Sequence, residues 1–83
     1  MKLKKNDAIV VKWLDIVQED TWQSEDSASK FNPIICHTLG FFLNEDKQLI
    51  RLSDSIASDG DRNVIVIPRG CILKIGRWDR VER

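Results

Sequence analysis

Ala8-Ile9-Val10-Val11-Lys12-Trp13-Leu14-Asp15-Ile16-Val17 carries apolar side chains on both of its parities. A strand that is solvated on one face alternates cleanly between apolar and polar residues. Here Ile9, Val11, Trp13 and Val17 fall on one parity, and Val10, Leu14 and Ile16 on the other. The run is rich in β-branched residues and predicts a strand. Such a strand is either covered on both faces or bent sharply around a barrel.

Breakers divide the rest of the chain into further short strands. Ile34-Ile35-Cys36-His37-Thr38-Leu39-Gly40-Phe41-Phe42-Leu43 predicts a second strand, with a bulge or sharp bend at Gly40. Asn44-Glu45-Asp46-Lys47 reads as a turn and Gln48-Leu49-Ile50-Arg51-Leu52 as the returning strand of a hairpin. Ser53 to Asn63 is a polar loop with Asp59-Gly60 as its turn. Val64-Ile65-Val66-Ile67, apolar on both parities, is broken by Pro68-Arg69-Gly70, and Cys71 to Trp78 gives a fifth strand before a charged tail, Asp79 to Arg83. The first loop, Gln18 to Pro33, is long and polar, and loops of that length in small domains are often functional. Within it Ser24 is placed to cap a short helical turn, with Glu25 and Asp26 at the positive end and Lys30 near the negative one. Few positions follow a helical period. The expectation is an all-β chain: one domain over residues 1–83, with a five-stranded, strongly bent antiparallel small barrel over about residues 8–78. The connectivity is that of SH3-like and Sm-like barrels, with at most one short helical turn in the first loop.

A chain of 83 residues buries only about 60–65% of its unfolded surface, so it has one modest core. A core of this size supplies on the order of 3–5 kcal/mol net. One barrel points only one parity inward, so the second apolar sets of the first and fourth strands predict a homo-oligomer. Net charge is zero, but it is segregated. Residues 1–13 hold four cations against one carboxylate, residues 14–61 three against ten, and residues 62–83 six against two. The basic ends form one basic face if they lie together. The lack of an overall basic excess counts against a dedicated nucleic-acid binder. No apolar run approaches the ~18 residues of a membrane span. Met1-Lys2-Leu3-Lys4-Lys5 is basic but no apolar core follows, so the expectation is a cytoplasmic protein with reduced cysteines and no membrane partner.

The residues argue against several chemistries. Cys36 and His37 are adjacent, so on a strand they point to opposite faces and cannot act as a nucleophile–base pair. Both cysteines, Cys36 and Cys71, are expected to be small core residues. One His and two Cys without a Cys-x-x-Cys motif fall short of a zinc site. Asp59-Gly60-Asp61 lacks the spacing and terminal Glu of a calcium loop. The four scattered glycines make no phosphate-binding loop, and no Ser lies in a nucleophile elbow. The expectation is no catalytic residue, no metal and no cofactor.

At Val64-Ile65-Val66-Ile67-Pro68-Arg69-Gly70-Cys71-Ile72-Leu73-Lys74-Ile75 the chain resembles a family of small phage and prophage proteins of unknown function. Thr38-Leu39-Gly40-Phe41-Phe42, Leu52-Ser53-Asp54-Ser55 and Trp13 fit the same resemblance, which covers roughly residues 8–76. Arg69-Gly70 is also similar to the second signature of Sm-like proteins, which closes the last two strands beside an RNA site. The first Sm-like signature is poorly matched: Gln48 at best stands in for its base-reading Asn. The long first loop looks like that of SH3-like domains, but the chain has no Tyr for a Pro-rich-peptide groove.

Three functions follow as expectations. The first is a non-enzymatic phage or prophage accessory protein, working by contact with a host or phage protein, to inhibit a host or defence factor or as part of an assembly. Its partner site would be Trp22 with Glu19, Asp20, Glu25 and Asp26, a large aromatic in an acidic rim; the alternative role for Trp22 is to fold back over a barrel end. The second is an Sm-like binder of single-stranded nucleic acid, with Arg69, Gly70 and Gln48 as the phosphate or base contacts. The third is a binder of a small nucleotide ligand between subunits.

Overall fold

The structure, a computed structural model, describes residues 2–78; the expected charged tail lies outside the described residues. It is all-β. Five strands, β1 (Ala8–Asp15), β2 (Ile34–Glu45), β3 (Leu49–Ser53), β4 (Ile65–Pro68) and β5 (Ile72–Arg77), form one antiparallel sheet in the order β4-β3-β2-β1-β5. A single helical turn, α1 (Glu25–Ala28), interrupts the first loop, and a 3-10 turn over Arg69–Cys71 joins β4 to β5. Among the described residues no helix is long and apolar enough to cross a membrane.

The long strand β2 serves two half-sheets. Its residues 34–41 pair with β1, which pairs in turn with β5, whereas residues 41–45 pair with β3 and through it with β4. Among the described residues only Phe41 stands in ladder register on both sides, and Phe42, paired with Leu52, is held on its other side by backbone bonds to Asn6 and Asp7. The inner faces of the halves meet in one core: Ile9 and Val11 from β1, Phe42 from β2, Ile50 and Leu52 from β3, and Ile67 from β4. Leu3, Trp13, Ile65, Ile72 and Ile75 pack around them. Trp13 is half-buried, and its indole N–H donates to Thr38 Oγ1 at 2.9 Å, which satisfies the polar end of a ring otherwise packed on the core. Among the described residues no ladder joins β4 to β5, so the bent sheet is not closed by hydrogen bonds into a barrel.

The sequence placed the irregularity of β2 at Gly40; the structure puts it two to three residues later. Phe42 pairs with Leu52 and Asn44 with Arg51, leaving Leu43 as the extra residue of a bulge. Gly40 stays in regular ladder register opposite Ile9 and has a different reason. A Cβ there would sit 2.7 Å from the Ser53 carbonyl oxygen and 2.9 Å from Leu52 Cδ1. The glycine lets β3 approach where the two half-sheets meet. A second bulge leaves Leu73 of β5 unmatched between Lys74, opposite Lys12, and Ile72, opposite Trp13.

Two polar clamps tie the segment before β1 to β5 and pin the second loop. Arg77 Nη1 donates to Asp7 Oδ2 at 2.7 Å and Nη2 to the Lys2 carbonyl at 2.6 Å. Asn6, at φ 71°, makes the left-handed turn that brings its N–H to the Phe42 carbonyl at 2.7 Å, a conformation Asn tolerates. Ser53, fully buried, donates from Oγ to the Asn63 carbonyl at 2.6 Å. The Asn63 side chain accepts from the N–H groups of Asp54 and Ser55 and donates to the Asp54 carboxylate. The loop between β3 and β4 is thereby pinned at its base, with Gly60 at φ 97° supplying its turn.

Substituting Gly40→Ala is expected to cost on the order of 1–3 kcal/mol, because backbone must move to admit the methyl group. Gly70→Ala, with nothing within 4 Å of the added Cβ, should stay within about 0.5 kcal/mol. Urea midpoints compare them, and equal midpoints would refute the close-approach reading.

The Asp7 carboxyl is held below its ordinary range, first by the Lys4 N–H and then by the Arg77 guanidinium. A carboxylate with a depressed folded-state pKa adds stability that is present above its unfolded value, near 3.8, and lost as pH falls through the folded one. Asp7→Asn should therefore flatten the loss of thermal stability between about pH 4 and pH 2. An unchanged slope would show that the clamp is not linked to protons.

Candidate functional site

The β1–β2 ribbon outruns its neighbours. β5 stops pairing at Trp13 and β3 does not reach below Phe41, so the distal part of the ribbon has only two strands. Residues 16–33 continue it as an arm, and the molecule measures 51 × 28 × 26 Å. The hydrogen bonds of residues 16–32 run to partners no more than four residues away. The arm is ordered by itself rather than by the body.

Local chemistry explains that order. Ser24 accepts from the Ser27 N–H at 3.1 Å and caps α1, while Glu25 and Asp26 occupy its first turn. Asp26 pairs with Lys30 at 3.1 Å, one helical turn on, with both side chains exposed. Glu19 accepts from the Thr21 N–H at 3.0 Å and from Thr21 Oγ1 at 2.8 Å, bonds that lower its pKa and fold the preceding stretch into a tight bend. These contacts hold Trp22 between two acidic clusters.

Trp22 is 101% exposed. It does not fold back over an end of the sheet, because the arm projects beyond the body and offers it no apolar surface. All five residues of the sequence-derived partner site, Glu19, Asp20, Trp22, Glu25 and Asp26, are exposed on this one arm. Ile16, at 86%, and the less exposed Val17 and Phe31 lie at its base.

The other candidate residues meet at the opposite end of β2. The Arg69 N–H donates to the Gln48 carbonyl at 2.8 Å, so Arg69 and Gln48 adjoin, and Gly70 is exposed beside them. The Arg69 guanidinium is engaged within the chain: Nε donates to the Asp46 carbonyl at 2.8 Å, and Nη2 pairs with Glu45 Oε1. Asp46 is held below its usual pKa by the Gln48 N–H, with further help from the Leu49 N–H and Arg51. Arg69 thus staples the 3-10 turn to the β2–β3 hairpin.

Cys36 lies opposite Trp13 on the inner face and His37 opposite Lys12 on the outer one. Neither cysteine is core: Cys36 and Cys71 are both half-buried, since Cys36 sits where the ribbon leaves the body and Cys71 ends the 3-10 turn. Among the described residues no three His, Cys, Asp or Glu side chains converge as a metal site requires.

The outer face carries a feature that strand-by-strand reading missed. Lys74, Lys12 and His37 stand directly across β5, β1 and β2, flanked by Val10 and Leu39 on one side and Leu14 and Ile35 on the other. Like charges directly opposed across a ladder repel. Among the described residues neither lysine has an ion pair. Lys12 and Lys74 are 62 positions apart, so only the β1–β5 register reveals the pair.

Compared with protein-family models, with curated proteins and with solved structures, the chain finds no match in any of the three.

Arg69→Ala is expected to cost on the order of 1 kcal/mol in urea unfolding, since it removes a partly exposed ion pair and a backbone hydrogen bond. Trp22→Ala should change stability by less than about 0.5 kcal/mol. The opposite ranking would make Trp22 the structural residue and Arg69 the free one.

Proposed function

We propose that the chain is a non-enzymatic accessory protein of the phage or prophage kind, acting in the host cytoplasm through protein–protein contact, with the arm as its binding element. The observation that carries the reading is a fully exposed Trp22 within an acidic rim, on an arm ordered without help from the body. Desolvating a Trp supplies much of the energy of an interface, and the surrounding carboxylates set orientation and association rate. The rim suits a basic protein surface and repels nucleic acid. Its target would be a host or defence factor, or a component of an assembly.

The adjacency of Arg69 and Gln48 supports a second reading, an Sm-like contact with single-stranded nucleic acid. Against it, Glu45 and the Asp46 carbonyl already occupy the Arg69 guanidinium.

A fluorescent single-stranded oligonucleotide separates the two. No binding tighter than about 100 μM at physiological salt is expected, in line with weak non-specific association. Affinity that falls steeply with salt and disappears in Arg69→Ala would replace the proposal with the Sm-like one. Capture of a protein partner should in turn be lost in Trp22→Ala, with an unchanged circular dichroism spectrum, and retained in Arg69→Ala.

A further inference from the structure

The arm and the outer face of the β1–β2–β5 half-sheet have opposite characters. The arm is acidic and apolar: Asp15, Glu19, Asp20, Glu25 and Asp26, of which only Asp26 has an ion pair among the described residues, interleave with Ile16, Val17 and Trp22. The outer face is basic and apolar: exposed Lys74 and His37 and half-buried Lys12 form a row flanked by exposed Leu39 and Ile35 and half-buried Leu14, while Val10 in the same face is already buried. Ile35 is 54% and Leu39 46% exposed, and these two residues flank His37 on a single strand. Within one chain the two surfaces cannot meet, because the arm continues the ribbon away from the face.

The surface area gives the scale of what is uncovered. A compact monomer of 9.6 kDa exposes about 5,100 Å² by the size scaling of folded proteins. This chain exposes 6517 Å². The excess, about 1,400 Å², reflects the elongated shape of the molecule, whose arm carries large side chains that no part of this chain covers.

We infer that the occupant of the outer face is the arm of a second copy of this chain. Two β1–β2 ribbons stack antiparallel about a two-fold axis, and each arm lies across the partner's Lys12–Lys74 row. The contact is isologous: the arm of each copy meets the face of the other, so both surfaces are covered in one closed dimer. Carboxylates of the arm neutralise two lysines that repel each other in the isolated chain, and Ile16 and Trp22 cover Leu39 and Ile35. The inference rests on the arm being a protein-contact element, and takes the assembly component that the arm contacts to be a second copy of this chain.

Charge reversal tests it on the full-length chain. One variant carries Lys12→Glu and Lys74→Glu, the other Glu19→Lys and Asp20→Lys. Wild type is expected to be a dimer by light scattering at about 50 μM, within the micromolar range of a modest interface. Each variant alone should be monomeric with a native circular dichroism spectrum, because like charges then face each other. Mixed one to one, the two should form a heterodimer, in which both contacts are again complementary. Trp22→Ala, which leaves the charges intact, should weaken the wild-type dimer about 30-fold or more. A wild type that is monomeric at every concentration, or variants that remain dimeric alone, would overturn the second-copy proposal. If a charge variant fails to fold, Trp22→Ala decides it, and an unchanged dimer constant is then the refuting result. Loss of capture of a different protein in Trp22→Ala, from a monomeric wild type, would leave the protein-contact reading standing without the dimer.

Discussion

The fold depends on one strand belonging to two half-sheets. β2 hands its pairing from β1 to β3 within a single residue, Phe41, and the close approach of Gly40 to the Ser53 carbonyl makes the handover possible. A side chain at Gly40 would hold the half-sheets apart, and the shared core of Ile9, Val11, Ile50, Leu52 and Ile67 would lose its facing partners. The bulge at Leu43 then resets the strand, so that Phe42 points inward and Asn44 outward beside Arg51. Core, hairpin and ribbon all take their positions from these few residues.

Around that core the polar groups act as ties between elements distant in sequence. Arg77 holds the first residues to the last strand, Arg69 holds the 3-10 turn to the hairpin, and Asn63 closes the second loop. The Arg69 and Arg77 ion pairs are each partly exposed, so solvent screens them, and their contribution is to fix geometry more than to add stability. The arm has no such tie. Its capping and Asx-type bonds are local, which leaves its shape independent of the body and its large side chains without cover.

Much of the architecture was legible in the sequence because β-branched runs and breakers are local signals. Five strands, the hairpin, the Ser24 cap and the break at Pro68-Arg69-Gly70 all follow from neighbours within a few residues, although Pro68 itself closes β4 opposite Leu49. The double-faced apolar pattern of residues 8–17 was legible too, although its cover is only partly internal: Val10 is buried on the second parity, while Leu14 is half-buried and Ile16 lies past the end of the strand. The site was less legible. Trp22 and its acidic rim stand out in the sequence, but whether the ring is covered depends on where the ribbon points. The reasons for Gly40 and the Lys12–Lys74 pair depend on register between distant segments. Arg69 reads as a free phosphate contact until the hairpin brings Glu45 beside it.

The pairing of β1 with β5 also bears on how the chain reaches its fold. β1 lies inside the sheet, yet its second neighbour is β5, the fifth strand of the described residues, and the clamp that seals them joins residues 70 positions apart. Contacts of that separation form only after a large loss of chain entropy, and proteins rich in them fold slowly. The β2–β3 hairpin closes over a three-residue turn and β4 joins across residues 54–64, whereas β1 keeps one edge unpaired until residues 72–77 are available. During synthesis the chain therefore has an interval in which the apolar strand β1 waits, half-paired, for β5.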